Sequence, residues 1–154
     1  MQTFVATISI LFYGALWKFI NKIVLIIGIL EYLFFFLSYT LTCIMNPGII
    51  TPDYYLENYK VDKMNIKNYR ICRKCNAIMD IDKGVEHCID CDICIIGNDH
   101  HCPWSSKCVG KNNINMFRVF LCSVFIHIGY LCLASMITAI TYTQNNQTNQ
   151  TKKN

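Results

Sequence analysis

Residues 91–110, CDICIIGNDHHCPWSSKCVG, contain four cysteines and two adjacent histidines within a short stretch. Three more cysteines and one histidine come shortly before it, at Cys72, Cys75, Cys88 and His87. Cysteine beside histidine at such density indicates either metal binding or nucleophilic catalysis. The fold of this part of the chain therefore depends on which of these residues bind metal and which are left over.

The spacing of these residues contains an internal repeat. The two copies are Cys72-x2-Cys75-x11-His87-x6-Cys94 and Cys88-x2-Cys91-x9-His101-x6-Cys108. Each copy supplies three cysteines and one histidine, which is the ligand set of a closed structural zinc site. A disulfide framework is the alternative. The spacing of Cys88, Cys91 and Cys94, each separated from the next by two residues, favours metal binding instead. Because the second copy begins inside the first, the sequence predicts two interleaved Cys3His zinc sites.

Two candidate ligands, His100 and Cys102, remain when both sites are filled. Asp99 precedes His100, and Pro103 favours an extended backbone at Cys102. An imidazole can accept a thiol proton, and a carboxylate can orient the imidazole. Spacing alone leaves two interpretations open. Asp99, His100 and Cys102 form a catalytic group, or they are part of a zinc module and have no catalytic role.

The rest of the chain is apolar, with 53% hydrophobic residues overall. Residues 3–17 carry no charge, residues 23–45 carry only Glu31, and residues 119–142 carry only His127 as an ionisable base. The stretch between them, residues 46–118, holds ten of the 14 Lys and Arg residues and nine of the 10 Asp and Glu residues. Membrane segments are therefore expected to flank one polar module. Glu31 and His127 are expected to make helix-packing contacts.

Three transmembrane helices are predicted, at about residues 3–20, 23–45 and 119–142. The first is short of the roughly 20 residues that a span needs unless it extends past Lys18, whose side chain can reach the surface. A signal peptide is the alternative for this segment, but it needs a basic start and a small-residue cleavage site, and neither is evident.

The predicted fold class is an α-helical polytopic membrane protein with a small cytosolic cysteine-rich module built on short β-hairpins. Its domains are a transmembrane hairpin in residues 1–45, the zinc module in residues 46–118, a third span in residues 119–142 and a polar disordered tail in residues 143–154. A reactive thiol and a basic module both favour the reducing cytosol. The tail, with its two glycosylation sequons, is then expected in the lumen.

Residues 72–117 resemble the cysteine-rich domain of the DHHC-type (zinc finger) protein S-acyltransferases, or palmitoyltransferases. The matching residues are Asp99-His100-His101-Cys102, Pro103-Trp104, Cys108-Val109-Gly110, Asn113 and Phe117. Asn46-Pro47-Gly48 is similar to the family's Asp-Pro-Gly motif after the second span. The resemblance implies that Cys102 is the nucleophile, His100 its base and Asp99 the residue that orients His100. It also implies two structural Zn²⁺ ions, with His101 among the ligands.

The resemblance further implies that acyl-CoA, chiefly palmitoyl-CoA, acylates Cys102, and that cysteines of membrane-associated substrate proteins then take the acyl group. The expected partners are these proteins, acyl-CoA and the lipid bilayer, with no nucleic acid, and the expected location is the endoplasmic reticulum or Golgi membrane. The residues that bind acyl-CoA are not identified. The family usually has a fourth span, which this sequence lacks. The alternatives are therefore a catalytically impaired, membrane-anchored zinc-binding adaptor, or a truncated pseudoenzyme.

Overall fold

The computed structural model describes Thr7 and residues 22–53 and 68–152. The elements in chain order are α1 (Lys22–Ile44), β1 (Ile49–Ile50), β2 (Tyr69–Ile71), β3 (Ile78–Asp80), β4 (Val85–Cys88), β5 (Ile93–Ile96), β6 (His100–Cys102), β7 (Lys107–Val109) and α2 (Ile114–Thr151). They divide into two compact units. One is Tyr39–Arg118, and the other combines Met1–Ser38 with Val119–Asn154.

Within the described residues, α1 and α2 are the two helices long and apolar enough to cross a membrane. They correspond to the second and third predicted spans. The first predicted span, at about residues 3–20, lies outside the described residues apart from Thr7. The described part of the chain thus contains two candidate membrane helices.

Polar contacts join the two helices inside the helical unit. The hydroxyls of Ser38 and Ser123 lie 2.9 Å apart, and the Glu31 carboxylate contacts His127 Nδ1. The ring of Phe35 stacks on His127, with the ring centroids 5.4 Å apart. Both residues therefore make the helix-packing contacts predicted for them, and the structure adds that they make them with each other.

The α2 helix continues to Thr151, whereas the polar composition from residue 143 onward predicts a disordered tail. Two threonine hydroxyls in this extension donate back to carbonyls one turn earlier, Thr148 to Gln144 and Thr151 to Gln147. Residues 143–151 also contain neither proline nor glycine. Nothing in the local sequence therefore breaks the helix, because polarity alone does not prevent a backbone from continuing a helix that has already formed.

The smaller unit is built from short antiparallel strands in three sheets. Their orders are β1-β5-β4, β2-β3 and β6-β7. The first sheet contributes one residue from each strand, Ile50, Val85 and Ile96, to a small buried core. The expectation of short β-hairpins carrying cysteine and histidine is confirmed.

Close packing at Gly110 and the hydrogen bonds of Asn113 hold together the segments that follow α1 and precede α2. A Cβ added at Gly110 would lie 2.5 Å from the Pro47 carbonyl oxygen and 2.6 Å from an Ile95 methyl, so only glycine fits there. The fully buried Asn113 accepts from the Gly110 amide at 2.8 Å and donates to the Cys108 carbonyl at 3.1 Å. Asn113 thereby satisfies buried backbone groups just before α2 begins.

Candidate metal and thiol site

The x6 spacing of both repeat copies has a direct structural cause. In the β4–β5 hairpin His87 is the cross-strand partner of Cys94, and in the β6–β7 hairpin His101 is the partner of Cys108. Directly opposed residues on antiparallel strands bring their side chains to the same face. The two hairpins therefore each deliver one imidazole and one thiol to a common point.

The two Cys-x2-Cys pairs form the turns that complete each group. Cys72 follows β2, and Cys88 ends β4. The residue after each second cysteine, Asn76 or Asp92, has positive φ, at 52° and 54°. Asparagine and aspartate reach this conformation more easily than most residues. The chain therefore reverses tightly enough for both cysteines of a pair to face one point.

The structure brings the eight predicted ligands together as two groups of four. They are Cys72, Cys75, His87 and Cys94, called here the first group, and Cys88, Cys91, His101 and Cys108, called the second group. Within each group the ligand atoms all lie within 4.8 Å of one another. The grouping is the one that the repeat predicts.

The distances inside the groups fit a tetrahedral zinc ion. The His87 Nδ1 atom lies 3.5, 3.2 and 3.8 Å from the sulfurs of Cys72, Cys75 and Cys94. Zinc bonds of about 2.3 Å to sulfur and 2.0–2.1 Å to nitrogen give tetrahedral edges of roughly 3.5–3.8 Å. The first group thus already has nearly the geometry that an ion would impose.

The second group has the same geometry. The His101 Nδ1 atom lies 3.8, 3.2 and 3.6 Å from the sulfurs of Cys88, Cys91 and Cys108. All ten cysteines of the chain lie in the described residues, and all are free thiols. Two Cys3His metal-binding groups that fit zinc therefore replace the disulfide alternative.

The pKa values of the clustered thiols also bear on metal binding. Burial, followed by the neighbouring thiols, raises the pKa of both Cys94 and Cys108 far above the ordinary value. Backbone amides of the first turn, led by that of Cys75, lower the pKa of Cys72. Several thiolates in one buried cluster need a cation, because each raises the cost of ionising the next. A divalent ion supplies that charge and binds the thiolate form.

Cys102 lies outside both groups. It is 5% exposed and sits at the end of β6, where alternate residues face opposite sides. His101 faces the second group, while His100 and Cys102 share the other side of the strand, where each influences the pKa of the other. One short strand thus separates a candidate metal ligand from the candidate reactive residues.

Asp99 and His100 form the expected contact. Asp99 Oδ2 lies 2.8 Å from His100 Nδ1, and the edge of the Phe117 ring packs against the imidazole at a centroid distance of 5.2 Å. Partial burial lowers the pKa of His100, but hydrogen bonds with Asp99 and Cys102 outweigh it, so the net pKa is raised. The carboxylate therefore favours a tautomer whose other nitrogen, Nε2, is available to the thiol.

The thiol of Cys102 is biased toward ionisation. Burial raises its pKa, but hydrogen bonds from the Ser105 side chain and backbone and from His100 outweigh burial and lower the pKa. The spacing of cysteines and histidines does not point to Ser105. It lies in the turn between β6 and β7, and Pro103, which begins that turn, is the one sequence signal that could have pointed to it.

Three further residues join this site without a sequence signal. Lys107, the cross-strand partner of Cys102, donates to the Cys43 carbonyl at 2.6 Å, and the Tyr39 hydroxyl donates to the Trp104 carbonyl at 3.4 Å. Both contacts join the β6–β7 hairpin to the C-terminal part of α1. They pair residues more than sixty positions apart, so local sequence patterns do not reveal them.

A family model for DHHC palmitoyltransferases matches residues 65–154 of this chain. Palmitoyltransferase ZDHHC4 of Mus musculus is 36% identical over 88 residues, which is 54% of this chain and 24% of that protein. Palmitoyltransferase ZDHHC8 of Drosophila melanogaster is 33% identical over 115 residues, 65% of this chain and 12% of the relative. Palmitoyltransferase PFA3 of Saccharomyces cerevisiae is 34% identical over 74 residues, 48% and 21% respectively. The chain thus spans less than a quarter of the length of these relatives.

Proposed function

Because the chain belongs to the DHHC palmitoyltransferase family, we propose that it is a protein S-acyltransferase whose nucleophile is Cys102. The observation that supports this most directly is the group formed by Asp99, His100 and Cys102. Its thiol is buried and separate from both metal-binding groups, and despite that burial its pKa is lowered by Ser105 and by the His100 imidazole. A purely structural metal module has no use for a thiol in that position.

The proposed first step forms an acyl-enzyme. His100 Nε2 takes the proton of the Cys102 thiol while Asp99 accepts a hydrogen bond from Nδ1. The thiolate attacks the carbonyl carbon of acyl-CoA, a new carbon–sulfur bond forms, and the bond to the CoA sulfur breaks. The departing CoA thiolate takes the proton back from His100. One thioester replaces another, so positioning and thiolate formation account for most of the catalysis.

The second step transfers the acyl group to a protein. A cysteine of a membrane-associated substrate attacks the acyl-Cys102 thioester, with His100 again accepting the thiol proton. Cys102 leaves as a thiolate and recovers that proton. The family and the names of the relatives support this substrate class, with palmitoyl as the acyl group.

The two metal-binding groups are proposed to hold two structural zinc ions, which supply folding free energy rather than chemistry. The ligands would be the eight residues of the first and second groups. The nearly tetrahedral distances and the clustered buried thiols support this assignment. On this proposal the ions stabilise the β-hairpins, and the hairpins hold the Cys102 thiol in position.

The chain is a membrane protein, as its two apolar helices and its family indicate. We further propose three spans, with the metal-binding module in the cytosol and the endoplasmic reticulum or Golgi membrane as the location. A reducing compartment keeps Cys102 a thiol, and acyl chains gain about 0.8 kcal/mol for each methylene buried in lipid. Protease protection of the module in sealed microsomes would contradict this orientation.

The experiment that tests the function is incubation of the purified full chain in detergent with palmitoyl-CoA, followed by mass spectrometry of its peptides. We expect one hydroxylamine-sensitive palmitoyl adduct on Cys102. Cys132→Ala is the matched control, because it removes an exposed thiol of α2 and should leave the adduct unchanged. An adduct that persists in Cys102→Ala, or none in a chain with both zinc ions bound, would favour the adaptor alternative.

A further inference from the structure

The imidazole of His87 presents an unpaired nitrogen. Its Nδ1 atom faces the three sulfurs of the first group, while Nε2 is buried without a hydrogen-bond partner in the described part of the chain. If Nδ1 binds an ion, Nε2 carries the proton and needs an acceptor. The nearest acidic oxygen, Oδ1 of Asp92, lies 3.3 Å away, within ion-pair distance but not aligned with the N–H.

Asp92 reaches the first group from the turn of the second. It directly follows Cys91, and its positive φ turns the chain back toward His87. Its backbone carbonyl accepts from the Cys75 thiol at 3.7 Å, and its carboxylate lies 3.9 Å from the Lys74 ammonium. Asp92, which lies within the second repeat copy, thus contacts both Cys75 and His87 of the first group.

We propose that Asp92 is a positioning residue for the metal of the first group. Its carboxylate accepts the hydrogen bond from His87 Nε2, which fixes the tautomer and the ring orientation that direct Nδ1 at the ion. This inference rests on the zinc assignment proposed above. The Asp92 side chain is 73% exposed, so it has room to rotate into alignment, but water and Lys74 also compete for it.

A competing account gives Asp92 only a backbone role, as a residue that tolerates positive φ. The two accounts differ in what glycine does at this position. Glycine adopts positive φ with no steric cost, so a backbone role predicts that Asp92→Gly binds zinc at least as firmly as the wild type. A carboxylate role predicts that Asp92→Gly weakens zinc binding, and that Asp92→Asn, with a neutral acceptor in place of the charge, weakens it less.

The test measures zinc release from the full chain in detergent to the chromogenic chelator pyridylazoresorcinol. Partners of ligating histidines typically contribute 10- to 100-fold in metal affinity, and exposure places Asp92 near the lower end. We expect one of the two zinc ions to leave about tenfold faster from Asp92→Gly and several-fold faster from Asp92→Asn, with the other ion unchanged. Among the six cysteines of the two groups, N-ethylmaleimide added during release should first label Cys72, Cys75 and Cys94.

Asp90→Asn is the control for charge, because it removes the same charge from an exposed position in the same turn. It should release zinc at the wild-type rate. Wild-type release from Asp92→Gly, equal acceleration by Asp90→Asn, or first labelling at Cys88, Cys91 and Cys108 would each overturn the role of Asp92 while leaving the zinc assignment intact. A wild-type chain that binds no zinc would overturn both.

Discussion

The β4–β5 and β6–β7 hairpins share one register and differ in the surroundings of the residue that follows the candidate histidine ligand. In both hairpins that residue is a cysteine, Cys88 after His87 and Cys102 after His101. Cys88 begins a Cys-x2-Cys turn, and its sulfur belongs to the second metal-binding group. Cys102 is followed by Pro103 and no such turn, so its thiol lies outside both groups, on the side of β6 that carries His100.

This difference shows how a structural repeat can yield a reactive site without a new fold. The hairpin holds the backbone of both cysteines in the same way, because each follows a histidine that opposes a cysteine across the strand pair. The residues that follow determine the environment of each thiol. A Cys-x2-Cys turn places Cys88 in a metal-binding group, whereas Pro103 follows Cys102 and leaves it beside a candidate base. The comparison therefore predicts opposite consequences for mutations at two equivalent positions.

The largest effect is expected from Cys88→Ala. Removing one of four ligands leaves an incomplete zinc site, and apparent zinc binding energies of about 10–16 kcal/mol are folding energy in small modules. We expect loss of at least one zinc ion and unfolding of the Tyr39–Arg118 unit. Zinc content by elemental analysis and limited proteolysis measure the two effects. A variant that keeps two ions and wild-type protection would show that Cys88 is not a ligand.

Cys102→Ala should behave in the opposite way. It removes the proposed nucleophile but no ligand, so the acyl-enzyme should be undetectable while zinc content stays at two ions per chain. The same elemental analysis, together with gel or mass detection of the palmitoyl adduct, separates these outcomes. Release of zinc from this variant would mean that Cys102 is a ligand and that the comparison of the hairpins is mistaken.

His100→Ala should lower the rate of self-acylation without abolishing it. A positioned general base typically contributes 10²- to 10⁴-fold, and His100 is both the proposed acceptor of the thiol proton and a group that lowers the pKa of Cys102. The measurement is the single-turnover rate with palmitoyl-CoA, with zinc content as the control for folding. An unchanged rate would assign the base to another residue.

The sequence could predict the grouping of the ligands because their spacing reflects local geometry. An x2 gap matches a tight turn, and an x6 gap matches two partners across a short hairpin such as β4–β5. Both are properties of neighbouring residues and appear in any sequence that forms them. The separation of His100 and Cys102 from the ligands followed from the same count.

The surroundings of Cys102 could not be predicted, because they depend on tertiary contacts and on turn geometry. The bond from Lys107 to Cys43 joins residues 64 positions apart. Ser105 lies close to Cys102 because the turn after Pro103 brings its hydroxyl within 3.5 Å of the Cys102 carbonyl. The helical continuation of residues 143–151 was missed for a different reason: a polar composition suggested disorder, but helix propagation requires only that no residue break it.

Lys107→Met tests whether the β6–β7 hairpin depends on α1. The variant keeps the length of the stem but removes the ammonium that donates to the Cys43 carbonyl, at the helix end where such carbonyls lack partners. Hydrogen bonds to charged groups contribute about 1.5–3 kcal/mol, so we expect a corresponding loss in the free energy of unfolding. Thermal unfolding in detergent measures it, with Lys107→Arg as the variant that keeps a donor. Equal stability of the Met and Arg variants would contradict this role.

The smallest effect is expected from Ser105→Ala, which leaves the nucleophile and its base in place. The Ser105 hydroxyl has one proton, and it can donate either to the Cys102 thiol or to the Cys102 carbonyl 3.5 Å away. As the thiolate forms, donation to the sulfur becomes the stronger of the two bonds, because charge-assisted hydrogen bonds exceed neutral ones. Removing the hydroxyl should therefore slow self-acylation by about three- to tenfold, equivalent to about 1 kcal/mol, without altering zinc content. Ser106→Ala is the matched control, because it removes the neighbouring exposed hydroxyl. If the two alanine variants slow the reaction equally, the Ser105 hydroxyl stabilises the turn rather than the thiolate.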